Sequence, residues 1–527
     1  MFHRLRLCCL LWALLTLPAA AQTKPSAGAR PEPVRPKLVL AIVLDQFRYD
    51  YLPRFREGYN GGLHWLLNHG ANLTNAHYQH MPTVTAVGHS IFLSGAMPSV
   101  SGIIDNEWFD RAAGRRISSV SDPDRRLLGA SGEASSPHRM LVTTIGDELK
   151  LASGGGSKVF GVSLKDRSAI LPAGRMADGA FWFDGGSGNF VSSTWYAEKL
   201  PAWVEAFNKS RHADLYLGAA WSPLSPASAP PFLSLAATAG ASYYKAFERT
   251  PFANELLELF LEGLLEEEKL GRRGATDIVA VSFSANDYVG HDYGPYSAQV
   301  RDMSLRTDRL LGRLFKYIDG KVGLASTLVV LSADHGGSPV PEQMRDRKLS
   351  AGRIRKSDLW LMVERKLSDD FGAGDWILGD STVGPYLNRE LIAKKGLALA
   401  DVRNRTAALL RSVPGVARVY TAEQLESPNS SADPIDVRVR NGYHVGRSAD
   451  LVLVLEPFWL FDTNPANHFQ PYSYDTHVPV LFAGSGVHAG RYHRHAGVRD
   501  IAPTLALLLG LEAPSGAQGR VLDEILE

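Results

Sequence analysis

Seven consecutive apolar residues, Leu38 to Leu44, run without interruption into Asp45. A run of that length with no polar alternation suits a strand covered on both faces, as in a parallel sheet. The pattern recurs along the chain. Lys158 to Leu164 leads into Lys165-Asp166-Arg167, Asp277 to Phe283 into Asn286 and Asp287, and Thr327 to Leu331 into Asp334 and His335. Val478 to Ala483 follows directly on His477. Helical stretches separate these runs, with Asn254 to Leu270 and Ser297 to Ile318 the longest. Alternating strands and helices with polar residues at strand ends predict an α/β fold. Its sheet is open and mostly parallel, flanked by helices, with ligands at the carboxyl edge.

Two segments break the rhythm. Residues 175–241 are rich in Trp, Tyr, Phe, Gly and Pro and read as an irregular insertion. Residues 338–447 carry elements of their own: a helix near Asp358 to Leu367, a strand at Val383 to Leu387, a helix at Ala400 to Ser412 and a strand at Val416 to Tyr420. Both are expected as insertions in one domain spanning 38–527, the second as a small α+β cap. With 527 residues, the chain exceeds a usual compact domain, which fits one large core carrying insertions.

The amino terminus reads as an address. Arg4 and Arg6 precede an apolar stretch, Leu7 to Leu17, and Ala19-Ala20-Ala21 suits cleavage, so residues 1–21 are expected to be a signal peptide. The stretch is too short to span a bilayer comfortably, which predicts no stable membrane anchor after cleavage. Residues 22–37, rich in Pro, Ala and Ser, read as a flexible leader. The protein is therefore expected outside the cytoplasm, periplasmic or secreted. Its only two cysteines, Cys8 and Cys9, fall inside the signal segment. A mature chain without cysteine excludes disulfides, thiolate metal sites and cysteine catalysis. Lys plus Arg (56) nearly equals Asp plus Glu (55), and there is no long basic block, so nucleic acid is disfavoured as a partner. No motif encodes an oligomeric state, and a monomer is the expectation.

Singly, the polar strand ends say little. Asp45 reads as a cap or turn residue, and Asp287 with His291 is a common spacing that puts a carboxylate and an imidazole on one helical face. Asp334-His335-Gly336-Gly337 is more specific, because the glycines permit a tight turn that exposes both side chains. Together with His477, these aspartates and histidines could supply two closely spaced sites rich in oxygen and nitrogen, a donor set suited to zinc. Two such ions, typically about 3.5–4 Å apart, can clamp both oxygens of a displacement. The candidate nucleophile lies in Met81-Pro82-Thr83-Val84-Thr85. A threonine at a helix start is ordinarily a cap. With a cation beside it, its hydroxyl ionises more readily, and the helix N-terminus favours an incoming anion.

The segments Val43 to Asp50, Pro82 to His89, Ser101 to Asn106, Asp287 to His291, Ala333 to Gly336 and His477 resemble the alkaline phosphatase superfamily. Asp500 to Leu505 followed by Gly510 is similar to that superfamily's closing helix, so matches run from Leu38 to Leu522. Ser163 to Arg167 resembles the phosphate-irrepressible bacterial branch with a threonine nucleophile. The resemblance implies two Zn2+ as cofactors, one held by Asp287, His291 and His477, the other by Asp45, Asp334, His335 and the Thr85 oxygen. It implies Thr85 as the catalytic nucleophile, with Asn106, Lys165 and Arg167 binding phosphoryl oxygens. Without metal ligands, Lys165 and Arg167 would read as a solvated loop paired with Asp166.

The expected activity is hydrolysis of small-molecule phosphate monoesters through a phosphothreonine intermediate. A dianion with charge spread over its equatorial oxygens suits two extra cations and an amide donor. In a diester, one of those oxygens carries a second organic group that Lys165 and Arg167 would crowd. The nearest alternative is a nucleotide pyrophosphatase or phosphodiesterase on the same nucleophile and metals. A sulfatase would need a Cys/Ser-x-Pro-x-Arg context, which the segment after Thr85 lacks. A non-catalytic exported binding protein on the same fold should have lost a ligand or the nucleophile. His493-Arg494-His495 reads as a solvated loop, Phe181 to Phe183 as packing, and His89 as a core histidine.

Overall fold

The strand Leu38–Leu44 has no exposed residue and lies between two parallel partners, Asp277–Phe283 and Thr327–Ser332. Its uninterrupted apolar sequence follows from that central position, since both faces and both edges are covered. A computed structural model describes residues 35–225, 229–428 and 431–527. The signal peptide and all but the last three residues of the leader lie outside them. Among the described residues, no helix is long and apolar enough to cross a membrane.

The central sheet has ten strands in the order 490–492, 71–73, 480–483, 327–332, 38–44, 277–283, 159–163, 179–184, 189–193 and 127–128. The five from 327–332 to 179–184 are mutually parallel. Val480–Ala483 runs antiparallel to Thr327–Ser332, so it brings its amino end, not its carboxyl end, to the edge where Asp334 and His335 emerge. Helices Gly62–His69, Pro251–Glu267, Ala285–Tyr293 and Ala298–Lys321 pack together as one group, and Thr85–Ser94, Ile145–Ala152, Asp166–Ala173 and Ile501–Leu509 as another. Between them they bury both faces of the sheet.

Part of the segment expected as an irregular insertion belongs to this sheet. Gly179–Asp184 pairs in parallel with Val159–Ser163 and returns antiparallel as Asn189–Ser193. The aromatic and glycine content of 179–188 suggests a loop, yet it builds a buried strand and a tight turn in which Gly188 takes φ 75°. The remainder of the segment carries short elements, including helix Ala202–Lys209.

A second layer is built from residues 352–461. Helices Lys356–Phe371 and Leu399–Arg411 pack on a two-stranded ladder of Val416–Thr421 with Leu451–Leu455, while Gly352–Ile354 pairs with Trp459–Phe461. The layer runs past the expected boundary at 447, because the partner of each of these two ladders lies beyond it. Its apolar residues, such as Leu359, Val363, Leu410 and Leu453, join the same continuous core as the sheet. Asp450 is its polar hub. Fully buried, Asp450 accepts from the Leu387 amide at 2.8 Å and pairs with Arg111, Arg389 and Arg403. Burial alone would raise this carboxyl, but the Arg111, Arg403 and Arg389 guanidiniums hold it below the usual range. Removing one member of such a cluster leaves buried charge uncompensated. Asp450→Ala is expected to cost about 3 kcal/mol of stability in denaturant unfolding, discounted because Arg111 and Arg389 reach solvent. A loss below about 1 kcal/mol would show that solvent compensates the arginines.

Candidate active site

Four sheet strands deliver their following residues to one carboxyl edge: Asp45, Lys165, Asp287 and the pair Asp334-His335. Asp45, Asp334 and His335 are completely or almost completely buried. Asp287 and His291 lie one turn apart on helix Ala285–Tyr293, with His291 Nε2 3.2 Å from Asp287 Oδ1. His335 Nε2 lies 3.2 Å from Asp334 Oδ2 and 3.6 Å from Asp45 Oδ1. Gln46, the residue after Asp45 and one with positive φ (55°), donates its side-chain amide to Asp287 Oδ1 at 2.6 Å and its backbone N–H to Asp334 Oδ1 at 3.1 Å. It thereby stitches three strand ends together.

Thr85 is the first residue of the wholly buried helix Thr85–Ser94. It is not the cap. Val84 holds that position in an extended conformation without a side-chain bond, and the Thr85 hydroxyl instead faces His335 Nε2 at 3.5 Å. The helix approaches the metal-type residues closely at Gly88, where a Cβ would lie 2.1 Å from the Asp334 carbonyl oxygen. His89 bridges the same gap. Its Nδ1 donates to the Thr85 carbonyl at 2.8 Å and lies 3.3 Å from Asp334 Oδ2, and its Nε2 meets Ser282 Oγ at 2.8 Å. Asn106 accepts from the Ala86 amide at 2.7 Å, which anchors its side chain beside the start of helix Thr85–Ser94.

His477 is not part of this assembly. Its Nε2 meets the Thr74 carbonyl at 3.1 Å, and its ring stacks between Tyr49 and His77, with centroids 4.5 and 4.3 Å away. The expected place is taken by His468, whose Nε2 lies 3.2 Å from His291 Nε2 and 3.5 Å from Asp287 Oδ1. His477 precedes the amino end of an antiparallel strand and so lies at the same edge, but its backbone bridge to His77 and its contact with the Thr74 carbonyl hold the ring beside Tyr49 and His77 instead of among the carboxylates. His468 stands in the loop 462–472, with no buried strand beside it to mark it in the sequence.

Each imidazole of the cluster donates Nδ1–H to a backbone carbonyl: His291 to Ala466 at 2.9 Å, His335 to Gly336 at 2.9 Å and His468 to Thr83 at 2.7 Å. That places a proton on Nδ1 and turns Nε2 inward, the orientation used by metal-ligating histidines. Asp45 Oδ1 and Asp334 Oδ2 are buried and take no well-formed hydrogen bond. The ligand atoms of Asp45, Asp334 and His335, and those of Asp287, His335 and His468, lie within 4.8 Å of one another in each trio. Two nitrogen lone pairs facing at 3.2 Å and two orphaned carboxylate oxygens are the environment a divalent cation satisfies. The residues present therefore fit metal ions.

The charges agree. Burial raises the Asp45 carboxyl and Asp334 raises it further, so it stands well above the usual range. Burial also works to raise Asp287 and Asp334, but His291 with Lys165 in the first case, and His335 with His89 in the second, hold both well below it. Burial opposes a charge on His335, but Asp334 overrides it and pushes that imidazole up to about 9. His468 is pushed down to about 3 by burial and then by His335. Lys165 Nζ lies 2.7 Å from Asp45 Oδ2 and 2.6 Å from Asp287 Oδ2, bridging the two halves of the cluster. Burial disfavours its charge, but Asp287 and Asp45 raise its pKa overall. Arg167 is less engaged. Its ion pair is with Asp166 at 3.8 Å, and its Nε has no hydrogen-bond partner among the described residues.

Residues 39–479 match the family described as type I phosphodiesterase / nucleotide pyrophosphatase. The chain is 36% identical to alkaline phosphatase PafA of Elizabethkingia meningoseptica, over 93% of this chain and 95% of the relative. It is 34% identical to alkaline phosphatase PhoV of Synechococcus elongatus, over 99% of this chain and the full length of the relative. The crystal structure of wild-type PafA superposes with a TM-score of 0.88, covering 94% of this chain and 99% of that one at 36% identity. A PafA variant substituted at a threonine, an asparagine, a lysine and an arginine superposes with a TM-score of 0.87 at 34% identity, over 94% and 99% of the two chains.

The two histidines are separable by titrating metal-free protein with zinc. His468→Ala is expected to weaken uptake by at least about 100-fold, and His477→Ala to leave it within about threefold. Equal losses would return His477 to the ligand set.

Proposed function

The chain belongs to the type I phosphodiesterase / nucleotide pyrophosphatase family within the alkaline phosphatase superfamily, and we propose that it is an exported alkaline phosphatase that hydrolyses phosphate monoesters with Thr85 as nucleophile and two zinc ions as cofactors. The observation that carries this reading is the Thr85 hydroxyl at the start of a buried helix, 3.5 Å from the imidazole shared by two metal-type donor groups. Zinc suits donors of imidazole and carboxylate without cysteine. When bound, the cations would supply charge stabilisation to the attacking and leaving oxygens.

The remaining work falls to the chain itself. Helix Thr85–Ser94 directs its N-terminal dipole at the incoming phosphoryl group, and the cradle of His89, Gly88 and Asn106 holds Thr85 in place. Thr85 Oγ forms a bond to phosphorus as the bond to the leaving oxygen breaks. The hydroxyl proton passes to solvent, and the departing alkoxide takes one up. Water then cleaves the phosphothreonine ester, releasing phosphate and restoring Thr85. The Asn106 amide, the Lys165 ammonium and the Arg167 guanidinium would serve as donors to non-bridging oxygens. With Asp45 and Asp287 neutralised by cations, Lys165 no longer has to balance them. The PafA variant was altered at the same four residue types, in the same chain order, as Thr85, Asn106, Lys165 and Arg167. Export rests on residues 1–21 and on a chain free of cysteine after Cys9.

The family description makes diester hydrolysis the competing reading. The ratio of kcat/KM for p-nitrophenyl phosphate to that for bis-p-nitrophenyl phosphate, on zinc-loaded protein at alkaline pH, decides between them. A ratio far above one is expected, and a ratio below one makes the protein a diesterase. Thr85→Ala should lower monoester turnover by at least about 1,000-fold with zinc content retained. Lys165→Ala with Arg167→Ala should cost the monoester at least about tenfold more than the diester. Equal losses would remove the basis for monoester preference.

A further inference from the structure

His468 and His335 come from segments far apart in the chain, and neither is held by a regular element. His335 stands in the turn Asp334 to Gly337 after a strand, and His468 in the loop after Trp459–Phe461. Side chains on such loops reach a common centre only if the loops are tied to each other. One residue makes both ties. The Asp475 carbonyl accepts from the Gly336 amide at 2.7 Å, directly after His335. The Asp475 carboxylate, through Oδ2, accepts from the Phe469 amide at 3.1 Å and the Gln470 amide at 2.8 Å, directly after His468. The neighbouring Tyr474 carbonyl accepts from Gly337 at 2.9 Å, and a Cβ on Gly336 would lie 2.2 Å from that oxygen, so the two loops touch through backbone.

The tie extends to the nucleophile. Thr83, two residues before Thr85, accepts His468 Nδ1–H on its carbonyl at 2.7 Å and donates its hydroxyl to the Gln470 carbonyl at 3.1 Å. The loop fixed by Asp475 therefore sits astride the entry to the nucleophile helix. Asp475 is fully buried, and the Asp475-Thr476-His477 sequence stands out from its surroundings although His477 lies outside the site. Asp475 Oδ1 has no hydrogen-bond partner among the described residues, so the geometry uses one acceptor oxygen of this side chain.

We infer that Asp475 is a positioning residue that sets the separation of His335 and His468, and through it the affinity and ligand geometry of the metal centre. The inference rests on the metal reading of the site. Groups that orient metal ligands typically change affinity by about 10- to 100-fold when removed. Two variants separate positioning from general stability. Asp475→Asn keeps an oxygen that accepts both amides, and Asp475→Ala does not. Asp147→Ala is the matched control, a buried aspartate that receives the Thr144 and Met176 amides at 2.8 and 2.6 Å and contacts none of the site residues described above.

The experiment titrates metal-free full-length protein with zinc against a competing chelator. It then records the visible spectrum of the Co2+-loaded forms, with the melting temperature of each metal-free protein alongside. Asp475→Ala is expected to weaken zinc binding by about 10- to 100-fold and to alter the Co2+ spectrum. Asp475→Asn should return both to within about threefold of wild type, and Asp147→Ala should lower the melting temperature without moving either. If Asp475→Ala binds zinc as tightly as Asp147→Ala with an unchanged Co2+ spectrum, Asp475 is a structural residue only and the inference is overturned. Wild-type protein that takes up neither metal would instead overturn the metal reading beneath it.

Discussion

Three carboxylates, Asp45, Asp287 and Asp334, and three imidazoles, His291, His335 and His468, meet at the carboxyl edge of the central sheet, all of them buried except the partly exposed His291. Like charges in such a region repel strongly, and each carries a desolvation cost that only opposite charge and hydrogen bonds offset. Lys165 spans two of the carboxylates, His335 and His89 flank the third, and the Nε2 atoms of His291 and His468 face each other across the cluster. The surrounding architecture makes sense as a means of holding this unfavourable concentration of charge in one geometry.

The sheet supplies the rigidity. Asp45, Asp287 and Asp334 follow three adjacent, mutually parallel strands whose registers are locked over their whole length. Gln46 ties the strand ends across the top, and close contacts at Gly88 and Gly336 leave no space for a side chain between helix Thr85–Ser94, the Asp334-His335 turn and the 468–475 loop. A site assembled this way is precise because its members ride on elements that share one core. The second layer of residues 352–461 joins that core and carries its own buried charge hub at Asp450, so it cannot lean away without exposing charge and apolar surface together.

Much of this was legible in the chain. The all-apolar runs marked the central strands because only a doubly covered strand needs to be apolar at every position, and the polar residues ending those runs had to emerge at one edge. Thr85 stood out as an oxygen at a buried helix start, and Asp334-His335-Gly336-Gly337 as a turn made for exposure. Less was legible where local composition and tertiary use diverge. The aromatic, glycine-rich stretch 179–193 has the composition of a loop and the structure of two sheet strands, because its partners lie in a segment already paired.

The sequence by itself determined the strand ends, the helix that begins at Thr85 and the kinds of donor atoms available, since each depends on residues within a few positions of one another. Only the tertiary structure decided which histidine completes the cluster. His477 had the better local credentials, beside a buried strand, but its bridge to His77 and its contact with the Thr74 carbonyl hold the imidazole between Tyr49 and His77. His468 comes from a loop with no periodic signal and reaches Asp287 because Thr83 and Asp475 hold it there. Backbone pairings and hydrogen bonds between distant segments set that choice, and neither is written in any short stretch of the chain.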